Sequence, residues 1–248
     1  MTQRKLDESA LKAFYHEAFV SDQLRDFSEL THKVPIVGVV VDIGGGCGFF
    51  ADGLAKKNGL NVRVLDMDPV SVDTCRMAGI DAKIADAVNP PISGDESIVC
   101  FNLILHHMVA DSESATKLLQ QKTLEVWRQK TVGIFVNEYI YESWIGNASG
   151  WLIYQVTKSK VLSAVGKLVS KVFPVLKANT FGIGVRFRAH KEWISFFKNI
   201  GFEVKKVKIG TPERVALPLR ILLIREIRRD SFWLESQNDV ERLSVDAF

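Results

Sequence analysis

The stretch Val39-Val40-Val41-Asp42-Ile43-Gly44-Gly45-Gly46-Cys47-Gly48-Phe49-Phe50 constrains the fold of this chain more than any other. Ile36 to Val41 is a short, mostly β-branched run without a polar interruption, the pattern of a parallel strand buried on both faces. It passes directly into glycines and then into a segment of helical pattern. A strand, a glycine turn and a helix in succession let the backbone approach a ligand closely, because glycine has no Cβ to hold it away.

Around that unit the segments Phe49 to Lys57, Val70 to Ala78 and Ser112 to Trp127 read as helices. Val62 to Leu65, Ala82 to Ala85, Ile98 to Leu103 and Val132 to Val136 read as strands. Their alternation predicts crossover units and a parallel sheet. Upstream, Leu11, Phe14, Tyr15, Phe19, Leu24, Phe27 and Leu30 recur at roughly helical spacing, which predicts two helices before Pro35. The alternation breaks from Tyr139 to Ala189. It resumes with a helix from His190 to Asn199, stopped by Gly201, and two strands, Phe202 to Ile209 and Leu219 to Arg225. The acidic segment from Asp230 reads as a tail.

A length of 248 residues with 47% hydrophobic and 25% charged residues fits one globular domain rather than a disordered chain or a repeat array. Val161 to Leu176, the best candidate for a membrane span, is broken by Lys167 and Lys171. The segment holding Arg4, Lys5, Asp7 and Glu8 lacks the apolar run of a secretory signal, so a cytoplasmic location is expected. Cys47, Cys75 and Cys100 show no C-x-x-C spacing, which leaves neither a disulfide framework nor a zinc site to expect. The formal charge of +3 hides an asymmetry. Tyr139 to His190 carries five lysines and two arginines against Glu142 alone, a local +6.

The spacing of the glycines separates two kinds of ligand. A dinucleotide loop, G-x-G-x-x-G, starting at Gly44 needs a third glycine at position 49, where Phe49 stands. The spacing is instead Asp-x-Gly-x-Gly-x-Gly, through Asp42, Gly44, Gly46 and Gly48. In this the chain resembles the first motif of the class I methyltransferases. Three further parts follow in the order of that family: Val62 to Pro69 with Asp66 and Met67 at a strand end, Ala85-Asp86-Ala87 after a short strand, and Val99 to His107.

The resemblance implies an α/β fold: a Rossmann-like, seven-stranded sheet, mostly parallel with an antiparallel C-terminal hairpin. N-terminal helices precede it and a helical insert follows the fifth strand. It implies S-adenosylmethionine as the cofactor. Asp42 and the glycines would form its bed, Asp66 would accept the ribose hydroxyls with Met67 beside it, Asp86 and Ala87 would meet the adenine, and Asn102 the methionine end. Arg128-Gln129-Lys130-Thr131 departs from the family, which commonly has a Pro-Gly turn before the fifth strand.

Methyl transfer from a sulfonium is an in-line displacement in which positive charge disperses. Positioning and exclusion of water supply much of the acceleration, and no metal is inherently required. His106 and His107 follow the fourth strand at the expected active-site mouth, and either could deprotonate a hydroxyl acceptor or simply pack the loop. His107 is the preferred base, and Glu138, after the fifth strand, is a further candidate for substrate contact.

The insert points to the acceptor. Val161, Leu162, Val165, Leu168, Val169, Val172, Phe173 and Leu176 fill one helical arc, with Lys160, Lys167 and Lys171 opposite. Such an arc suits a lid buried on the core or a helix on the inner face of a membrane. With Trp144, Trp151, Tyr154, Phe181, Arg186, Phe187 and Arg188, it suggests a hydrophobic or aromatic small-molecule acceptor, free or held by an acidic carrier protein, with O-methylation favoured. The late part of the chain resembles methyltransferases of bacterial polyketide or aryl-polyene pathways. The Asn-Pro-Pro-Tyr motif of nucleic-acid methylation is replaced by Asn102-Leu103-Ile104-Leu105, so no nucleic-acid partner is expected. Nucleic-acid methylation, as the runner-up, protein methylation and a methyltransferase-like, non-catalytic binding subunit remain the alternatives.

Overall fold

The computed structural model describes residues 17–164, 168 and 184–237. Up to the fifth strand, helices and strands alternate: α1 Glu17–Leu30, β1 Val39–Ile43, α2 Phe49–Asn58, β2 Asn61–Asp66, α3 Pro69–Met77, β3 Asp81–Ile84, β4 Glu96–Asn102, a 3-10 turn Leu105–His107, α4 Glu113–Glu125 and β5 Gly133–Ser143. Then come α5 Ala148–Lys158, α6 His190–Asn199, β6 Phe202–Lys208, α7 Leu217–Arg220 and β7 Ile224–Ser236.

The strands form one sheet in the order β3-β2-β1-β4-β5-β7-β6. β1 to β5 pair in parallel, and β7 lies antiparallel between β5 and β6. This is the expected mostly parallel sheet with a C-terminal antiparallel hairpin.

The strand period of two divides the core into two layers. Val41, Ile43, Val99, Phe101, Ile134, Val136, Phe232 and Leu234 point to one face, where Trp127 and the α6 residues Trp193, Phe196 and Phe197 cover them. Val40, Ile98, Cys100, Phe135 and Trp233 point to the other, under Leu24, Phe27, Phe50 and Leu54 of α1 and α2. Both faces of every central strand are thus dry, which is why β1 and β4 read as apolar runs rather than alternating ones. Each of these large side chains contributes about 1.5–3 kcal/mol by leaving water.

Three expectations are corrected here. Asp230 does not begin a tail: it is fully buried within β7, whose Phe232-Trp233-Leu234 run carries the sheet onward to Ser236. Leu219 is not in a strand but packs from the short helix α7, whose Pro218 lacks the N–H a strand ladder needs. β5 extends seven residues beyond Val136 because β7 runs antiparallel beside it as far as Ser143, so the insert begins later than Tyr139. Leu11, Phe14 and Tyr15, on which a first N-terminal helix was expected, lie outside the described residues; α1 supplies the second.

Candidate active site

β2 flanks β1 on one side and β4 on the other, so the strand order reverses at β1. The chain crosses over opposite faces on the two sides of that boundary, opening a crevice beyond the carboxyl ends of the strands. Asp42, the glycine loop, Asp66 and Asn102 all sit at these ends.

Gly44, Gly46 and Gly48 have φ of 66°, 53° and 78°, a left-handed backbone that other residues adopt only under strain. The glycines also make room within the protein. A Cβ on Gly44 would strike Ile104, one on Gly45 the Asp42 carboxylate, and one on Gly48 would lie 2.8 Å from Cys75 Sγ. Sequence reasoning assigned their need to the ligand alone; internal packing requires much of it.

Asp66 ties the loop down. Its Oδ2 accepts the Gly46 N–H at 2.9 Å and its Oδ1 the Asp68 N–H at 2.8 Å. Burial pushes its pKa up, against the lowering effect of these two bonds. Each carboxylate oxygen has a second lone pair left for a ligand hydroxyl. Asp68, in turn, caps α3 by accepting the Ser71 N–H at 2.9 Å.

Asp42 is almost completely buried, and the Asn102 side chain donates to its Oδ1 at 3.1 Å. Its Oδ2 and the Asn102 Oδ1 are buried acceptors without a partner in the protein. Desolvation raises the Asp42 pKa to about 7; the Asn102 bond lowers it and the Asp66 charge adds to the rise. Two unfilled buried acceptors in one crevice carry a free-energy cost that a cationic or N–H donor would relieve. Asp86 is exposed, accepting the Val88 N–H at 2.9 Å, and Met67 and Ala87 are half-buried beside the same edge.

Beyond Asn102 the chain turns through Leu103, held at φ 54° with its N–H on the Asn137 carbonyl at 2.8 Å. The turn delivers Leu105–His107 to the end of β5. There Glu138, fully buried, accepts the Leu105 N–H through Oε1 and meets His106 Nδ1 through Oε2, both at 2.6 Å. A carboxylate at Glu138 would accept from Nδ1–H and leave Nε2 as the basic nitrogen.

The two candidate histidines stand in different settings. Burial, with His106 alongside, holds the His107 pKa well below the ordinary imidazole value, which makes it a weak proton acceptor. His106 is the ring oriented by a carboxylate. Phe187 stacks on it with centroids 4.8 Å apart, Tyr141 stacks on Phe187 at 4.1 Å, and Tyr139 meets both His106 and Phe187 edge-on. Tyr139, Tyr141 and Phe187 are half-buried and form an aromatic wall beside the dyad. Phe187 entered sequence reasoning only with the aromatic set of the insert, and Tyr141 escaped it, because the stack joins residues 46 positions apart with no motif at either.

The post-insert segment buries two of the charges counted in the basic stretch. Arg186 and Arg188 are buried, not on the surface, and pair with Glu113 and Glu192. The two guanidiniums outweigh burial and keep Glu113 below its ordinary pKa. The expected burial of the apolar arc is also not met where it is described: Val161, Leu162 and Leu168 are exposed. Lys160 is exposed, as expected, whereas Lys167, Lys171, Phe181 and the rest of the arc lie outside the described residues. Among the described residues no helix is long and apolar enough to cross a membrane, and no three His, Cys, Asp or Glu side chains converge as a metal site.

This architecture and the position of its crevice define a class by shape. The chain has the fold of the class I methyltransferases. No protein-family model and no curated protein matches it. Among solved structures, the [4+2]-cyclase SpnF aligns with a TM-score of 0.60 at 14% identity, over 96% of this chain and 88% of its own. An S-adenosylmethionine-dependent methyltransferase from Clostridium acetobutylicum aligns at 0.57 and 9% identity, over 93% and 96%. The geranyl diphosphate C-methyltransferase of Streptomyces coelicolor, solved with Mg2+, geranyl diphosphate and S-adenosylhomocysteine, aligns at 0.55 and 11%, over 93% and 88%.

Proposed function

We propose that this chain transfers the methyl group of S-adenosylmethionine to the hydroxyl of a small aromatic or hydrophobic acceptor. The observation that carries the reading is the pairing, at adjacent strand ends, of unfilled acceptors on Asp42 and Asn102 with the His106–Glu138 dyad behind an aromatic wall. Register places Asn102 opposite Asn137, the residue before Glu138, so the two groups share one edge of the sheet.

The residues present fit the cofactor. Asp42 and Asn102 offer acceptors to the methionine ammonium, Asp66 offers lone pairs to the ribose, Met67 lies beside it, and the exposed Asp86 and half-buried Ala87 stand where the adenine would lie. Bound there, the cofactor supplies an electrophilic methyl group on a sulfonium. The chain's own part is to hold an acceptor flat against Tyr141 and Phe187 and to take its proton. His106 Nε2 is suited to the second task, with Glu138 stabilising the imidazolium that results. Tyr139 and Tyr141, both with pKa values raised by burial, stay neutral and present rings and hydroxyls rather than charge.

A phenol or enol fits this wall, since a planar ring stacks and an acidic hydroxyl matches an imidazole base. Delivery by an acidic carrier protein, or contact with a membrane face, would involve Lys160 with Val161 and Leu162 rather than the buried arginines. The cyclase among the similar structures keeps a second reading in view: the same fold serving a reaction other than methyl transfer.

Calorimetry with S-adenosylhomocysteine, followed by incubation with S-adenosylmethionine and a panel of phenols, tests the proposal. Micromolar binding and a methyl ether product are expected. Absent binding overturns the cofactor assignment. Binding without any methylated product favours the second reading, and a ring-methylated product moves the accepting atom from oxygen to carbon.

A further inference from the structure

The dyad is the end of a longer chain of contacts. Arg188 is fully buried. Its Nη1 donates to Glu113 at 3.0 Å and Glu192 at 2.5 Å, and its Nη2 donates to Gln120 Oε1 at 2.8 Å. Gln120, also fully buried, then donates through Nε2 to the Leu105 carbonyl at 2.8 Å. The N–H of that same residue is the one Glu138 accepts. From the other side the Arg186 N–H donates to the His106 carbonyl at 2.9 Å. The 3-10 turn is therefore gripped at the Leu105 N–H, the Leu105 carbonyl, the His106 carbonyl and the His106 ring.

We propose that Gln120 and Arg188 are positioning residues: Gln120, fixed by Arg188, clamps the Leu105 carbonyl and thereby sets the orientation of the His106 imidazole on Glu138. The assignment rests on the proposed function for its consequence but not for its geometry. A generic core contact would fill space at Gln120 with a leucine or methionine. Instead a buried amide spans a cation on one side and a turn carbonyl on the other, and both its polar atoms are satisfied. With both its polar atoms paired, the Gln120 amide favours this one arrangement, because every alternative leaves one of them unpaired in low dielectric. The return segment from the insert supplies Arg186 and Arg188, so whatever moves that segment moves the turn.

The groups facing His106 are Glu138 and Tyr139 from β5, His107 from its own turn, and the ring of Phe187, which carries Tyr141 behind it. The Arg186 guanidinium is directed to Glu113 and Glu192. None of these charges is removed by Gln120→Met. That variant deletes the clamp while keeping volume. Arg188→Lys keeps the positive charge but gives up the fork that reaches Gln120.

Nitrogen-detected NMR of the histidine rings reads the outcome without cofactor or acceptor. In the parent, His106 should be held as the Nδ1-protonated tautomer. In Gln120→Met and Arg188→Lys the tautomers should mix and the titration midpoint should move by about half a pH unit or more. Leu54→Ala, a cavity under the opposite face of the sheet, serves as a control for general softening. An unchanged tautomer and midpoint in the two network variants, or the same change in Leu54→Ala, overturns the proposal. Should Gln120→Met fail to fold, Arg188→Lys alone decides. Because the readout needs no turnover, a failed methyl-transfer assay counts against the proposed function and not against the clamp.

Discussion

Around the glycine loop, side chains close on backbone: Asp66 receives the N–H groups of Gly46 and Asp68, and Asp68 that of Ser71. Around His106 side chains also close on one another, Glu138 on the imidazole, Arg188 on Glu113, Glu192 and Gln120. The first region depends on main-chain conformation, held by the carboxylates of Asp66 and Asp68. The second depends on the identity of several side chains from β5, α4, α6 and the return segment. A fold that keeps its ligand loop in backbone and its acceptor wall in side chains can change what it modifies without rebuilding what it binds.

That division predicts separable defects, the largest in cofactor binding. Asp66→Ala removes two expected bonds to the ribose, each about 1.5 kcal/mol or more, and the anchor of the Gly46 N–H. Calorimetry should show S-adenosylhomocysteine binding weakened by about a hundredfold or more. Unaltered affinity would detach Asp66 from the ligand and leave it as a loop anchor.

On the other side, His106→Ala should lower turnover by roughly a hundredfold, the lower range for a general base, with S-adenosylhomocysteine affinity nearly unchanged. His107→Ala should cost less than that. If His107→Ala proves the more damaging, the base lies with the ring of depressed pKa and the dyad is structural. If His106→Ala also loses the cofactor, the two regions are not separable.

A smaller effect follows from Asp42. Its folded pKa of about 7 lies above the usual carboxylate value, so its protonated form favours folding. The associated stability is full below about pH 4 and is lost as pH rises toward 7. Ligand binding has the opposite sign. A cation beside Asp42 selects the carboxylate, so S-adenosylhomocysteine should bind up to about tenfold more weakly per pH unit below 7. Proton release measured in buffers of different ionisation enthalpy checks this, and Asp42→Asn should flatten the profile. A flat profile in the parent places the ligand's positive group elsewhere.

Smallest of all should be Lys160→Glu. An exposed residue outside both regions changes stability by no more than about 0.5 kcal/mol, so the melting temperature should not shift measurably. A clear drop would assign Lys160 a partner within the fold.

The same contrast decided what could be read from residues alone. Asp42, Gly44, Gly46, Gly48 and Asp66 lie within 25 positions of one another and at strand ends, so spacing and periodicity located them together. Gln120 and Arg188 meet across 68 positions, and Glu113 and Arg188 across 75. No local pattern marks such pairs. Arg186 and Arg188 counted toward a basic stretch because their carboxylate partners come from another part of the chain. β7 was misplaced for a related reason: Arg228, Arg229 and Asp230 suggest solvent, yet Asp230 is buried against His190 Nδ1 at 2.7 Å and Arg228 Nε at 2.9 Å. Charges that neutralise each other inside a sheet resemble a tail until both partners are known.

The place of β7 has a consequence for how the molecule is made. Among the described strands it is the last in sequence but not in space, standing between β5 and β6. While the chain is being synthesised, β1 to β5 can assemble from their own crossovers, but the outer edge of β5 stays open until the residues of β7 emerge, and until then β6 lacks its strand partner. An open edge flanked by Phe135 and Val136 is a template for pairing with another nascent chain. The glycine-loop half can thus exist ahead of the acceptor half during biogenesis. Slow delivery of the final strand would expose the unfinished sheet to aggregation before the dyad on β5 has its surroundings.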